Sequence, residues 1–551
     1  MTACLRMLRI VNIKNIMTTR RFFEILPAGL AWGTLIGMFV FSWLIPAWVA
    51  VFIILFDTYW LLKTVYMSFH LRATYTEMRR NMKTDWIKKL EELHGSSTDW
   101  KDVYHLVILP MYNEPYEVVK ETFDNLLAAR YPKDKFIVVL GLEERAGEKA
   151  RVVGEQIERE YGSHFFKFLM TVHPKDMPGE IPGKSSNQSW AAAEVKRLIV
   201  DPLIDEKQVA SGKWQKNATL SSVTCHLPDA TCLSYANFLV SIFDIDTQAF
   251  PEYFGRVTHA FLTARNPLRA IYQPVPLFVN NIHEAPAPSR VSSFSASFWQ
   301  MMQQARPERL TSFSSQTLPL QVVLDIGYWQ KDIVSEDSRV FWQGFLRYHG
   351  DFRVEPLAYP VSMDANVASS FLGTIKNIYK QQRRWGWGVE NVPYMFEGFR
   401  NDPLIPAAKK RYWSFNILES FHSLATNSLM IFALGWLPLL LGGDHFNASV
   451  LSYSLPRITR FIVELSMLGL SGSAIMGIIL LPKKSGGTSA VDYFLYIIQW
   501  ALVPVTLTLF GAVPGLEAQT RLALGGRYRL GFWVTPKSRK QEGKWQVASG
   551  K

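Results

Sequence analysis

The chain has 551 residues, 48% of them hydrophobic, a formal net charge of +12 and three cysteines. That length exceeds one ordinary domain, and Cys4, Cys225 and Cys232 are too few for a disulfide framework. The charge does not point to nucleic acid: Lys and Arg crowd beside long apolar runs, as at the cytoplasmic flanks of membrane spans, and no nucleic-acid-reading module accompanies them.

The first 25 residues carry Arg6, Arg9, Lys14, Arg20 and Arg21, after which residues 26–56 contain no Asp, Glu, Lys or Arg. One span needs about 20 apolar residues. The apolar character persists past Asp57 and Lys63 to about Met67, so two helices with a turn near Pro46 are expected. No small-residue cleavage site is evident, which favours an anchor over a removable signal peptide. Arg72, Arg79, Arg80, Lys83, Lys88 and Lys89 match the preceding basic flank and place both flanks in the cytoplasm. Asp57, inside the second span, reads as a functional carboxylate or an interhelical hydrogen-bonding group.

From about 100 to 400 short apolar runs alternate with charged stretches. Residues 103–109 (VYHLVIL) read as a strand, 117–129 as a helix, 136–140 as a strand, 147–161 as a helix, 165–171 as a strand and 186–199 as a helix. Such alternation predicts an α/β domain with a largely parallel, covered sheet, whose ligands bind beyond the carboxyl ends of strands. Tyr112, Asn113 and Glu114, in MYNEP, follow the first strand. Residues 200–236 show no periodicity. Cys225, His226 and Cys232 fall there, but a fourth zinc ligand is not evident.

Residues 237–247 (NFLVSIFDIDT) read as a buried strand ending in two carboxylates. In extended backbone residues i and i+2 point to one side, so Asp244 and Asp246 can act together. Paired hard oxygen ligands suit Mg²⁺ or Mn²⁺, which takes its other ligands from water and phosphate. The plainer alternative is a helix cap near Thr247. Glu336 and Asp337 read as an acidic pair or as the acidic first turn of a helix. Gln381 to Trp385 (QQRRW) end an expected helix, 371–385, with arginine forks for phosphate and a Trp face for a sugar. An interfacial amphipathic helix accounts for the same residues.

Three further runs, 420–443, 465–482 and 493–516, lack Asp, Glu, Lys and Arg and are each long enough to span. Three crossings put the tail outside, whereas Arg521, Arg527, Arg529, Lys537, Arg539 and Lys540 argue for the inside. A re-entrant break at Pro504 is one way out of that conflict.

The ordered set PMYNEP, FDIDT, SED and QQRRW, flanked by apolar helices, resembles the membrane-integrated family 2 glycosyltransferases that include cellulose and hyaluronan synthases. The resemblance implies a GT-A-type domain over 100–400 between N-terminal spans in 1–70 and C-terminal spans in 411–516, followed by a basic tail, 517–551. It implies an inverting transferase that moves sugar from a nucleotide-sugar donor to a growing glycan; the layout suits a bacterial inner membrane with the catalytic domain cytoplasmic, whereas Asn447-Ala448-Ser449 on the expected outer loop would be a glycosylation acceptor elsewhere. Tyr112, Asn113 and Glu114 would line the nucleotide pocket, and Asp244 and Asp246 would hold Mg²⁺ or Mn²⁺. Asp337 would be the base, with Glu336 beside it, while Gln381, Arg384 and Trp385 would close over diphosphate and acceptor. The family's aspartate after the second strand is missing, and Glu143 or Glu144 is the candidate replacement. Lys184, in Gly183-Lys184-Ser185-Ser186-Asn187, resembles a loop that approaches phosphate or base. A lipid-linked acceptor, a non-catalytic sensor or export scaffold, and an export partner subunit remain open.

Overall fold

The computed structural model describes residues 2–94, 98–210, 233–484 and 487–536. The β-rich runs build one eight-stranded sheet from β1 (Tyr104–Pro110), β2 (Phe136–Glu143), β3 (Lys167–His173), β4 (Phe238–Ile242), β5 (Gln248–Ala249), β6 (Ala270–Phe278), β7 (Thr317–Pro319) and β8 (Arg353–Met363). Their spatial order is β3-β2-β1-β4-β7-β6-β8-β5. β3, β2, β1 and β4 are mutually parallel, as are β6 and β8. The short β7 pairs antiparallel with β4 and with β6, and β5 pairs antiparallel with β8. The mostly parallel sheet expected from the alternation is therefore present, with antiparallel pairs that the sequence pattern did not announce.

Alternation along β1 shows why the sheet is covered on both faces. Leu106 and Ile108 belong to one apolar core with Ile137 and Val240. Val107 and Leu109 belong to another with Val138 and Phe254. A strand apolar on both sides needs cover on both sides. Helices Tyr116–Ala128, Glu148–Tyr161 and Lys184–Val195 follow β1, β2 and β3, within a few residues of the expected limits. The last continues through a π-turn into Asp201–Ala210, so the irregular stretch begins later than 200. Cys225, His226 and Cys232 lie outside the described residues.

Among the described residues four helices are long and apolar enough to cross a membrane: Thr19–Leu44, Pro46–Lys83, Val450–Ile479 and Ala490–Leu524. The first two meet at Pro46, as expected, but the second runs well beyond Met67. The 420–443 run is a bent pair, Ala407–Phe432 and Leu434–Leu441, turned by 51°. Ala490–Leu524 reaches the sheet domain near both ends: Tyr496 Oη lies 2.9 Å from His283 Nδ1, and Glu517 accepts from Tyr379 Oη (2.6 Å) and Arg383 Nη1 (2.7 Å). Beyond it, Arg529 pairs with Glu24, and Arg21 donates to the Leu522 carbonyl at 3.2 Å. The described tail thus lies on the side where the first span begins, in agreement with its charge.

Candidate active site

β1 and β4 are adjacent and parallel, so the loops that follow them open at one end of the sheet. The strand expected to run through Thr247 stops at Ile242. Thr247 N–H donates to the Asp244 carbonyl at 2.8 Å, closing a turn. Asp244 and Asp246 are therefore not neighbours on one side of an extended strand; the turn delivers both to the wall of the same cavity. Asp246 is fully buried, and its Oδ2 accepts from Asp364 N–H at 2.9 Å. Asn280 fastens the arrangement, donating to the Asp246 carbonyl and to Asp364 Oδ1, each at 3.0 Å. Asp244 is 29% exposed; it accepts from Ser314 Oγ at 2.7 Å and pairs with Lys184 at 2.8 Å.

Lys184 is the first residue of helix Lys184–Val195, and Asn187 anchors that helix by donating to the Gly141 carbonyl of β2 at 2.7 Å. Its ammonium lies 2.9 and 3.2 Å from the two Asp337 oxygens and 3.8 Å from Glu336 Oε1. Burial opposes its charge, but Asp244, Asp337 and Glu336 more than offset that and hold its pKa above the ordinary lysine value. Burial, then the neighbouring Asp337 charge, pushes Glu336 well above the usual carboxylate range. Burial also raises Asp337, while Lys184 works against that rise.

Glu336 and Asp337 do form the acidic first turn of a helix, Glu336–Arg347, and they also face the cavity. The two readings of this pair are compatible. The turn before them is held by Glu390, whose Oε1 accepts from Val334 N, Ser335 N and Ser335 Oγ at 3.2, 3.1 and 2.6 Å. Glu390 Oε2 accepts from Trp387 Nε1 at 2.9 Å, linking that turn to the chain just after QQRRW.

Helix Phe371–Gly386 separates its two arginines by face. Arg383 pairs with Glu517, whereas Arg384 lines the cavity and its buried Nε has no hydrogen-bond partner among the described residues. Gln381 and Trp385 line the cavity too, and the Trp385 ring packs between Phe278 and Phe313, with centroids 5.9 and 5.8 Å away. Tyr112, Glu114 and Glu143 complete the wall nearest β1 and β2. The Arg145 guanidinium lies over the Tyr112 ring at 4.4 Å and pairs with Glu143. Asn113 and Glu144 are exposed and do not face the cavity, so Glu143 is the better placed of the two glutamates.

Sequence pattern misses several contributors. Asp364, Ser314 and Glu390 act through backbone and side-chain bonds between segments distant in sequence, for which local pattern gives no signal. Phe532, Val534 and Thr535 also line the cavity, with Phe532 packed against Gly183 and Arg384. In the sequence their stretch shows only as part of a basic tail.

The cavity has a volume of about 1120 Å³ and extends from Asp244 and Asp337 to Glu419, Asn427 and Ser466 between the apolar helices. Among the described residues no group of three or more His, Cys, Asp or Glu side chains is arranged to hold a metal. Asp244 and Asp246 nevertheless fit a hard cation that takes its remaining ligands from a diphosphate and water. The Lys184 ammonium held between Asp244 and Asp337 shows that this pocket accepts positive charge.

Residues 239–509 match the profile of the family described as glycosyl transferase family group 2. That span starts in β4 and includes Asp244, Asp246, Glu336, Asp337 and QQRRW. The chain therefore carries a family 2 glycosyltransferase domain and is a glycosyltransferase, its mixed, mostly parallel sheet being of the GT-A type. No curated protein matches the sequence. Among solved structures, the mannosyltransferase PcManGT from Pyrobaculum calidifontis, in complex with GDP-Man and Mn²⁺, is 13% identical, covering 76% of this chain and 97% of its own, with a TM-score of 0.35. TarS 1-349 of S. aureus, in complex with UDP-GlcNAc, is 13% identical over 68% of this chain and 90% of its own, with a TM-score of 0.32. Likenesses this distant do not identify a sugar for this chain.

Proposed function

We propose that the protein is a membrane-bound inverting glycosyltransferase that adds sugars from a nucleotide-sugar donor to a growing polysaccharide, working from the cytoplasmic face. The observation that carries this reading is the single cavity joining Asp244 and Asp337 to the interior of the apolar helices. A chain extended at Asp337 has a path between those helices.

Asp337 is the base. Its carboxylate takes the proton of the acceptor hydroxyl, the freed oxygen attacks the anomeric carbon, and the diphosphate leaves from the opposite face with the bonding pair. A positioned base contributes roughly 10² to 10⁴ in rate. Lys184 opposes the rise that burial imposes on the Asp337 pKa, and Glu336 stands beside it. Arg384, with Gln381, faces the leaving diphosphate, and Trp385 supplies the surface on which the acceptor sugar lies. Tyr112, Glu114 and Glu143 hold the nucleotide. Mg²⁺ or Mn²⁺ held by Asp244 and Asp246 would neutralise diphosphate charge. Product length on a sizing gel tests the reading: a ladder of long chains supports it, and one added sugar on a polyprenyl phosphate assigns the protein to lipid-linked transfer instead.

A further inference from the structure

Apart from the residues assigned to catalysis and donor binding, three cations line the same cavity where it passes toward the membrane helices: Lys63, Arg306 and Arg309. The arginines follow helix Ala287–Gln304, in a turn closed by Arg309 N–H donating to the Arg306 carbonyl at 2.9 Å. Lys63 comes from helix Pro46–Lys83. Glu419 binds Lys63 at 2.7 Å and Arg309 at 3.2 Å. Arg306 is served far less well. Its side chain is 11% exposed, and its neighbours are the exposed Glu308 at 3.6 Å, Met67 Sδ at 3.8 Å and the Tyr66 ring at 5.5 Å. Its Nε has no hydrogen-bond partner among the described residues. A buried guanidinium ordinarily finds a carboxylate or phosphate fork, so this one is suited to an anion that enters from the cavity.

Position makes the cluster relevant to the acceptor. Ser312 donates to the Asp337 carbonyl at 2.6 Å, and three residues of chain keep Arg309 within about 11 Å of Ser312. Arg309 therefore stands near the turn that bears Asp337, and Glu419 ties it to Lys63. Trp60, beneath Lys63 at 4.3 Å, also lines the cavity and offers an aromatic face at the same level. Of the carboxylates near the three cations, Glu419 is shared by Lys63 and Arg309, and the exposed Glu308 reaches Arg306 only at 3.6 Å. An aromatic face beside a buried guanidinium whose Nε lacks a hydrogen bond among the described residues matches a pyranose that bears a carboxylate.

We propose that Lys63, Arg306 and Arg309 form a subsite for a carboxylate on the acceptor glycan, so that the polymer made is acidic and contains a uronic acid. This rests on the polysaccharide reading of the cavity. The test titrates neutral and uronate-containing oligosaccharides of equal length onto the full-length protein in lipid nanodiscs, without donor. The acidic oligosaccharide should bind about ten-fold more tightly, the scale of one charge-assisted contact. Arg306→Gln should cut that preference to about two-fold and leave nucleotide-sugar affinity unchanged, with Lys63→Gln as a second variant should Arg306→Gln fail to fold. Equal affinity for the two oligosaccharides overturns the subsite and leaves the polysaccharide reading standing. A polyprenyl phosphate that binds in their place and is lost in Arg306→Gln overturns it in favour of a lipid phosphate. Binding of neither oligosaccharide, by protein that binds nucleotide sugar in a separate titration, overturns the polysaccharide reading and the subsite together.

Discussion

Lys184 sets its ammonium 2.9 Å from Oδ1 of Asp337, tying the turn that opens one helix to the acidic first turn of another. The proposed base and the cation that opposes the rise in its pKa thus come from segments far apart in sequence. Substituting Asp337→Asn keeps the shape and removes the proton acceptor. Turnover should fall by roughly 10² to 10⁴, with donor affinity, read by isothermal titration, changed little. Glu336→Gln, which mimics the protonated form that burial favours, should retain far more activity.

Arg383 and Arg384 separate two kinds of contribution on one helix. Arg384→Ala should lower kcat by about 10² or more through loss of leaving-group stabilisation, with little change in melting temperature. Arg383→Ala breaks a partly exposed pair with Glu517 and should cost about 1 kcal/mol of stability while kcat stays within a few-fold. Steady-state kinetics beside thermal melts in detergent distinguish the two.

Asn187 is a positioning residue. Its Nδ2 donates to the Gly141 carbonyl, and a Cβ added at Gly141 would lie only 2.6 Å from Asn187 Oδ1. Asn187→Ala should destabilise the protein by about 1 kcal/mol, since the Gly141 carbonyl loses one of its two donors and keeps Met111 N–H at 2.8 Å. The same variant should reduce kcat by loosening the helix that carries Lys184. A larger side chain at Gly141 should reproduce both effects, checked by melts and by nucleoside diphosphate release.

Much of this was legible in the sequence, for identifiable reasons. The parallel half of the sheet follows from apolar runs such as 103–109 and 136–140 alternating with amphipathic stretches. Asp244 and Asp246 are legible as carboxylates closing an apolar run and QQRRW as a dense set of donors and aromatic rings at a helix end, whereas Glu336 and Asp337 are legible only through their place in the ordered motifs. The turn at Asp244 was missed because an apolar run ending in Asp-x-Asp reads as extended whether or not it curls. β7 has three residues and β5 has two, too short for any period to show. Glu390, Asp364 and Ser314 act through contacts across the fold. The tail residues Phe532, Val534 and Thr535 were hidden by the arginines around them.

His105 gives the fold a pH dependence separate from catalysis. It is fully buried between Tyr131 and Phe254, with Nε2 2.9 Å from Thr258 Oγ1, and burial pushes its pKa down to about 3. The unfolded chain, with a pKa of about 6.5, binds a proton that the folded chain refuses between those two values. The stabilisation is therefore complete above about pH 6.5 and declines as pH falls toward 3, by about 1.4 kcal/mol per unit from this group alone. Melting temperatures between pH 7.5 and 5 should fall accordingly, and His105→Phe should flatten that acid limb.

The most direct measurement is nucleoside diphosphate release by the full-length protein in lipid nanodiscs, across a panel of nucleotide sugars with membrane lipid extract and either Mn²⁺ or Mg²⁺, alongside Asp246→Asn. Release from one donor, dependent on the divalent cation and lost in Asp246→Asn while the variant melts normally, is the predicted result. Nucleoside diphosphate release that continues undiminished in chelator, or in Asp246→Asn, would contradict the assignment of Asp244 and Asp246 to a metal-assisted transfer site.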